Sequence, residues 1–149
     1  MKIDDSIKQN SFENAQSKAW VNLMYTYHQM IDRTRQVFKK FGITQQQYNV
    51  LRILKGRNDQ PATCGEVKRV MLDKNPDLSR LSDRLVDKGL IHRSINENNR
   101  REVELRITDK GMALLEAIRI PLKETIKLEE ALTEREAERL SELLDKMRQ

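Results

Sequence analysis

Between Thr63 and Thr108 two helical patterns are separated only by Asp73-Lys74-Asn75-Pro76, and two strand patterns follow at once. That order leaves few ways to fold. Thr63 can cap the first helix, and Glu66 stands where a capping box needs it. Val67, Val70 and Met71 supply its apolar face. Asn75 is the expected cap of the second helix, with Pro76 at its first position, where a missing N–H costs nothing. The second helix, over 77–88, turns Leu78, Leu81 and Leu85 inward with small Ser82. Pro76, Ser79, Arg80, Asp83 and Asp87 fall on the opposite side, with Arg84 on a flank. Asp83 and Asp87 are expected to pair with Arg80 and Arg84 on the same helix. Gly89 ends it. Leu90 to Ile95 and Glu102 to Ile107 then form a hairpin, the second strand alternating Val103, Leu105 and Ile107 with polar residues. Its tip holds three Asn and ends Arg100-Arg101.

Two helices on a short turn, followed by a hairpin with a basic tip, make a winged helix. A helix fits the major groove of duplex DNA, and basic side chains at the tip can reach a narrow minor groove. The same layout also serves protein–protein modules, so spacing alone leaves both readings open.

The run L-S-R-L-S-D-R-L-V-D-K-G-L-I-H-R, the loop ending R-R, and V-E-L-R-I-T-D-K-G resemble the MarR family of bacterial transcriptional regulators. The likeness extends to the flanking helices and so spans nearly the whole chain. It implies a homodimer that binds duplex DNA at an inverted-repeat operator, and repression, because a dimer on a promoter blocks polymerase without a further contact surface. Under that resemblance Ser79 and Arg80 are the expected base contacts and Arg84 lies nearer the phosphates. Thr63, Lys74 and Asn75 are expected at phosphate, and Arg101, helped by Arg100, in the minor groove. A small aromatic effector is a further implied partner, with Tyr25, Tyr27, His28 and Arg33 as candidates to line its crevice. One departure stands in the wing. The family commonly has Asp two residues before its key arginine, and here that position is Asn99. The rival reading is a winged-helix interaction module that does not bind DNA.

Charge distribution agrees with DNA binding. From Thr44 to Ile107 there are 13 Lys and Arg against 9 Asp and Glu, whereas the rest of the chain has 15 against 14. The excess lies in the winged helix.

The remaining chain reads as helices. A long one is expected from Ser11 to Phe41, after a frayed polar start at residues 1–10. Trp20, Met24, Tyr27, Ile31, Thr34, Phe38 and Phe41, flanked by Leu23, Met30 and Val37, make a band wide enough for a second partner. Gly42 ends that helix, and Thr44 with Gln47 boxes the next, which buries Tyr48, Val50, Leu51, Ile53 and Leu54. Thr108 caps a helix that Pro121 bends without ending, the pattern running on through Leu122, Ile126 and Leu128. Thr133 with Glu136 opens the last, whose stripe is Ala137, Leu140, Leu143, Leu144 and Met147.

The fold class is therefore mainly α with a small two- to three-stranded β wing, a winged helix-turn-helix with dimerisation helices from both termini. It is one domain, 1–149, with a DNA-binding part over about 44–107 and dimerisation helices over about 11–41 and 109–149. No catalytic or metal constellation appears: His28 and His92 have no His or Cys at ligand spacing, and no P-loop or nucleophile elbow is present. No enzyme activity and no cofactor are expected. The lone Cys64 sits at a helix start, where a dipole can lower a thiol pKa, but a small residue filling that position is the simpler reading. With one cysteine, no long apolar run and acids near the N-terminus, the expected location is cytoplasmic.

Overall fold

The computed structural model describes residues 2–8, 11–58, 60–73, 76–96, 99 and 102–149. In chain order these form α1 (Ile3–Ile7), α2 (Ala15–Lys40), α3 (Gln45–Lys55), β1 (Ala62–Thr63), α4 (Cys64–Val70), α5 (Leu78–Asp87), β2 (Ile91–Ile95) and β3 (Val103–Ile107). Then follow α6 (Asp109–Ile126), α7 (Leu128–Ala131) and α8 (Glu134–Met147). The strands make one antiparallel sheet in the order β1-β3-β2, with Ile91 opposite Ile107 and Ile95 opposite Val103. β1 adds only two residues, Ala62 opposite Leu105 and Thr63 opposite Glu104.

Local chemistry sets most boundaries. Thr44 with Gln47, Thr63 with Glu66 and Thr133 with Glu136 each make both bonds of a capping box. Gly42 and Gly89 end α2 and α5 at φ +69° and +68°, a backbone region that side chains with a Cβ disfavour.

The core lies within the winged helix and against α6. Val50, Leu51 and Leu54 of α3, Val67 of α4, Leu85 of α5, Ile91, Leu105 and Ile118 of α6 are all essentially inaccessible. Each such side chain contributes about 1.5–3 kcal/mol by leaving water. α3 thus braces α5 from behind. α2 joins this core only near its C-terminal end, through Thr34, Val37 and Phe38. Trp20 and Tyr27 stay 55% and 53% exposed, and no residue of α8 is buried.

Several expectations need correction. Residues 3–7 are helical rather than frayed: Ile3 is buried, and Asp4 takes a 2.6 Å ion pair from Lys18. α2 starts at Ala15, because Asn14 accepts from the Ser17 N–H at 2.7 Å and fixes the first turn there. Asp77, not Asn75, caps α5, accepting from the Arg80 N–H at 3.1 Å. Pro76 therefore precedes the cap and is buried rather than facing outward. Asn75 itself, with Lys74, Arg100 and Arg101, lies outside the described residues. Val70 is 59% exposed, because α4 ends there and Met71 turns back to the core instead. α6 passes through Pro121 but stops at Ile126, where Lys127 turns left-handed, so Leu128 belongs to a separate short helix.

Candidate nucleic-acid interface

α5 presents the strongest candidate surface. Leu78, Leu81, Ser82 and Leu85 are buried, and the Ser82 hydroxyl donates to the Ser79 carbonyl at 2.9 Å, so its burial leaves no polar atom unsatisfied. Ser79, Arg80, Asp83, Arg84 and Asp87 are exposed on the other side. Among the described residues no side chain pairs with Arg80 or Arg84. Two like charges one turn apart repel slightly in the free protein. An anion laid across them removes that cost.

The expected pairing of Asp83 and Asp87 with these arginines is absent. Asp83 instead accepts from Arg93 on β2 at 2.6 Å, and Asp87 has no ion pair among the described residues. The cause is the turn after α5. The Gly89 N–H bonds the Val86 carbonyl at 2.8 Å and the Leu90 N–H the Leu85 carbonyl at 2.9 Å, a Schellman arrangement that sends β2 back alongside the helix. That path carries Arg93 to Asp83.

The wing is built on Asn96. Its N–H donates to the Glu102 carbonyl at 3.0 Å, its amide to Glu104 Oε1 at 2.7 Å, and its Oδ1 accepts from the Asn99 N–H at 2.9 Å. The Glu102 N–H closes the turn on the Asn99 carbonyl at 2.8 Å. Asn96 was not among the sequence candidates. An Asn at the end of a strand before a turn is the available signal, since its side chain can stand in for backbone. Exposed Arg106 lies on β3 opposite His92.

Thr63 is committed elsewhere. Its hydroxyl accepts from the Glu66 N–H at 3.2 Å and contacts the Glu66 carboxylate, which also takes Arg57 at 3.0 Å. The Thr63 N–H bond, followed by Arg57, holds the Glu66 carboxyl below its ordinary pKa. A negative charge therefore stands beside Thr63. Next to it Cys64 is half-buried, and burial raises its thiol pKa, with Arg93 pulling down and Asp83 up. Burial is the largest of these influences, and it opposes the lowering that a helix start can bring.

The four residues considered for an effector crevice differ in setting. Tyr25 and Arg33 line a groove against α1 with Ile3 and Ser6, whereas Tyr27 is exposed and meets His28 edge-on at 5.6 Å. A cavity of about 460 Å³ lies instead between α2, α3 and α6, lined by Phe38, Tyr48, Asn49, Arg52, Leu72 and Leu122 among others. The Asn49 amide nitrogen is buried there without a hydrogen-bond partner among the described residues. Leu72, from the turn between α4 and α5, forms part of its wall.

The chain can be set against known proteins. A family model described as the MarR family matches residues 43–103. The HTH-type transcriptional regulator PecS of Dickeya dadantii (strain 3937) is 29% identical over 91 residues, covering 60% of this chain and 55% of PecS. The match thus spans about half the length of that curated relative. The crystal structure of a MarR transcription factor from Planctomyces limnophilus is 31% identical, with 93% of this chain and 98% of that one covered and a TM-score of 0.69. A cysteine-to-serine variant of E. coli MarR, crystallised with operator DNA, is 25% identical, with 93% and 99% covered and a TM-score of 0.73. Among the described residues no helix is long and apolar enough to cross a membrane, and no cluster of metal-ligating side chains occurs.

Proposed function

Because the chain belongs to the MarR family, we propose that it is a sequence-specific duplex-DNA-binding regulator that acts as a homodimer, by repression, in the cytoplasm. The observation that carries the proposal is the outward face of α5, where Arg80 and Arg84 stand exposed with no partner among the described residues. In this reading α5 enters the major groove. Ser79 and Arg80 read base edges, and Arg84 meets phosphate. Lys74 and Asn75 serve phosphate at the turn, and Arg100 and Arg101 serve the wing. Thr63 acts through the start of α4, its hydroxyl being shared with Glu66. The related operator complex of E. coli MarR supports DNA over a protein partner.

Dimerisation rests on uncovered apolar surface. Leu140, Leu143 and Met147 of α8 and Trp20 and Tyr27 of α2 are all 44–56% exposed in one chain. A second copy covers them, so residues 11–41 and 109–149 serve assembly and 44–107 serve DNA. The cavity between the two parts takes a small aromatic effector. Phe38 and Tyr48, with ring centroids 4.8 Å apart, offer apolar walls, and the Asn49 amide and Arg52 offer donors to an acceptor or anionic group.

The test is binding at several salt concentrations to duplexes enriched from a random pool. Counterion release makes affinity fall steeply as salt rises. An absence of enriched sequences, or binding indifferent to salt, sinks the DNA reading and favours a protein-binding module.

A further inference from the structure

Hydrogen bonds from three elements converge where α2 ends, α5 ends and α6 begins. Lys88 Nζ donates to the Gly42 carbonyl at the end of α2, at 2.7 Å. Lys110 Nζ, from α6, donates to the Lys88 carbonyl at the end of α5, also at 2.7 Å. Beside them Thr108 Oγ1 donates to the Gly89 carbonyl at 2.8 Å, and the Thr108 N–H to the Leu90 carbonyl at 3.1 Å. Each lysine thus carries a positive charge to the carbonyl end of a helix, where the dipole favours it. Both side chains are exposed, so burial does not hold them. What they do is bridge: Lys88 ties α5 to α2, and Lys110 ties α6 to α5.

From this junction we infer that Lys88 and Lys110 are positioning residues that fix the angle of α5 against α2 and α6, and so set the half-site spacing that the dimer accepts. The inference rests on the dimeric DNA-binding reading above. In the proposed dimer, α2 and α6 are two of the routes that link each α5 to the assembly surface. Apolar packing of α3 against α6 resists separation, and its preferred crossing angle still leaves a scatter of about 15–20°. Hydrogen bonds to carbonyls are directional, and these two cross between elements. Adding one base pair at the centre of an inverted repeat shifts the half-sites by about 3.4 Å and turns them by about a tenth of a helical turn. A rigid pair of α5 helices cannot follow that change, whereas a loosened pair can.

The experiment uses the full chain and an inverted-repeat duplex enriched by wild type from a random pool. That duplex is resynthesised with one or two base pairs added or removed at its centre. Wild type is expected to lose affinity by about tenfold or more away from its optimum. The Lys88→Met/Lys110→Met double variant is expected to bind the whole series within about threefold. Lys55→Met, which removes a charge from α3 and touches neither carbonyl, should keep the wild-type profile. A loss of general charge lowers every duplex alike and leaves the profile steep, as would a purely stabilising role. A folded double variant with a steep profile overturns the inference. If the double variant fails to fold, Lys88→Gln alone, which cuts only the tie to α2, must broaden the profile, and a steep one overturns it equally. Failure of wild type to enrich any duplex removes the DNA reading itself, an outcome distinct from a steep variant profile.

Discussion

Arg93 Nη1 lies 2.6 Å from Asp83 Oδ1, tying the first strand of the wing to the outward face of α5. The side chains are 40% and 58% exposed, so the pair adds at most about 1 kcal/mol to stability. Its larger effect is electrostatic. The one arginine on β2 is occupied by a carboxylate of α5. Asp83→Asn should leave the melting temperature nearly unchanged and release Arg93. The slope of log affinity against log salt should then steepen by about one. An unchanged slope in binding titrations would mean that Arg93 never reaches the nucleic acid.

Arg80→Ala tests base reading. A contact to a base edge is worth about 1–3 kcal/mol, and losing it should relax preference at one base pair in each half-site. Uniform weakening across a panel of site variants would make Arg80 a phosphate contact instead.

Arg101→Ala should weaken binding more than Arg106→Ala, if the wing tip enters a narrow minor groove. Arg106 carries the same charge but stands on β3, opposite His92. Asn99→Asp should change affinity by less than about tenfold, because a charge-assisted bond to arginine is offset by a negative charge brought toward phosphate. Equal losses for the two arginines on one duplex at fixed salt would leave only general charge in the wing.

Gly111→Ala should be among the most damaging small substitutions. A Cβ there would stand 2.3 Å from the Leu90 carbonyl oxygen and 2.8 Å from Ile107 Cγ1. Relieving that overlap means moving α6 off the sheet, at a cost of about 1–3 kcal/mol. Thermal unfolding measures it, and a melting temperature equal to wild type would contradict the close approach.

Leu143→Glu separates a monomer from a dimer. Leu143 is 45% exposed in one chain, so a monomer would change by less than about 0.5 kcal/mol. A dimer seated on α8 should dissociate or lose its fold. Sedimentation of a folded, unchanged dimer would place the assembly surface elsewhere.

Much of this was legible because the signals are local. A capping box is two bonds between residues three apart, and a Schellman turn needs only a glycine, so Thr44, Thr63, Thr133 and Gly89 could be read from spacing. The run Thr108-Asp109-Lys110-Gly111 that opens α6 also acquires a reason: Thr108 caps, Lys110 reaches the Lys88 carbonyl, and Gly111 permits close packing. Misreadings arose where two local solutions compete or where the partner is distant. Pro76 fits just before a cap as well as just after one, so its position alone does not settle which neighbour caps the helix. The partner of Asp83 lies across a turn, beyond any helical wheel. The burial of Ile3 depends on where α1 packs, which a five-residue pattern does not carry.

β1 pairs β3 only at Leu105 and Glu104. At those two residues β3 is laddered on both sides and is joined to the start of α4. Beyond them, among the described residues, Val103 pairs only with Ile95, as part of a two-stranded ribbon, the kind of sheet that twists most easily. Glu104 is thus a fulcrum in the sheet: the Ile95–Val103 pair beyond it can twist without disturbing the three-stranded part that leads into α4.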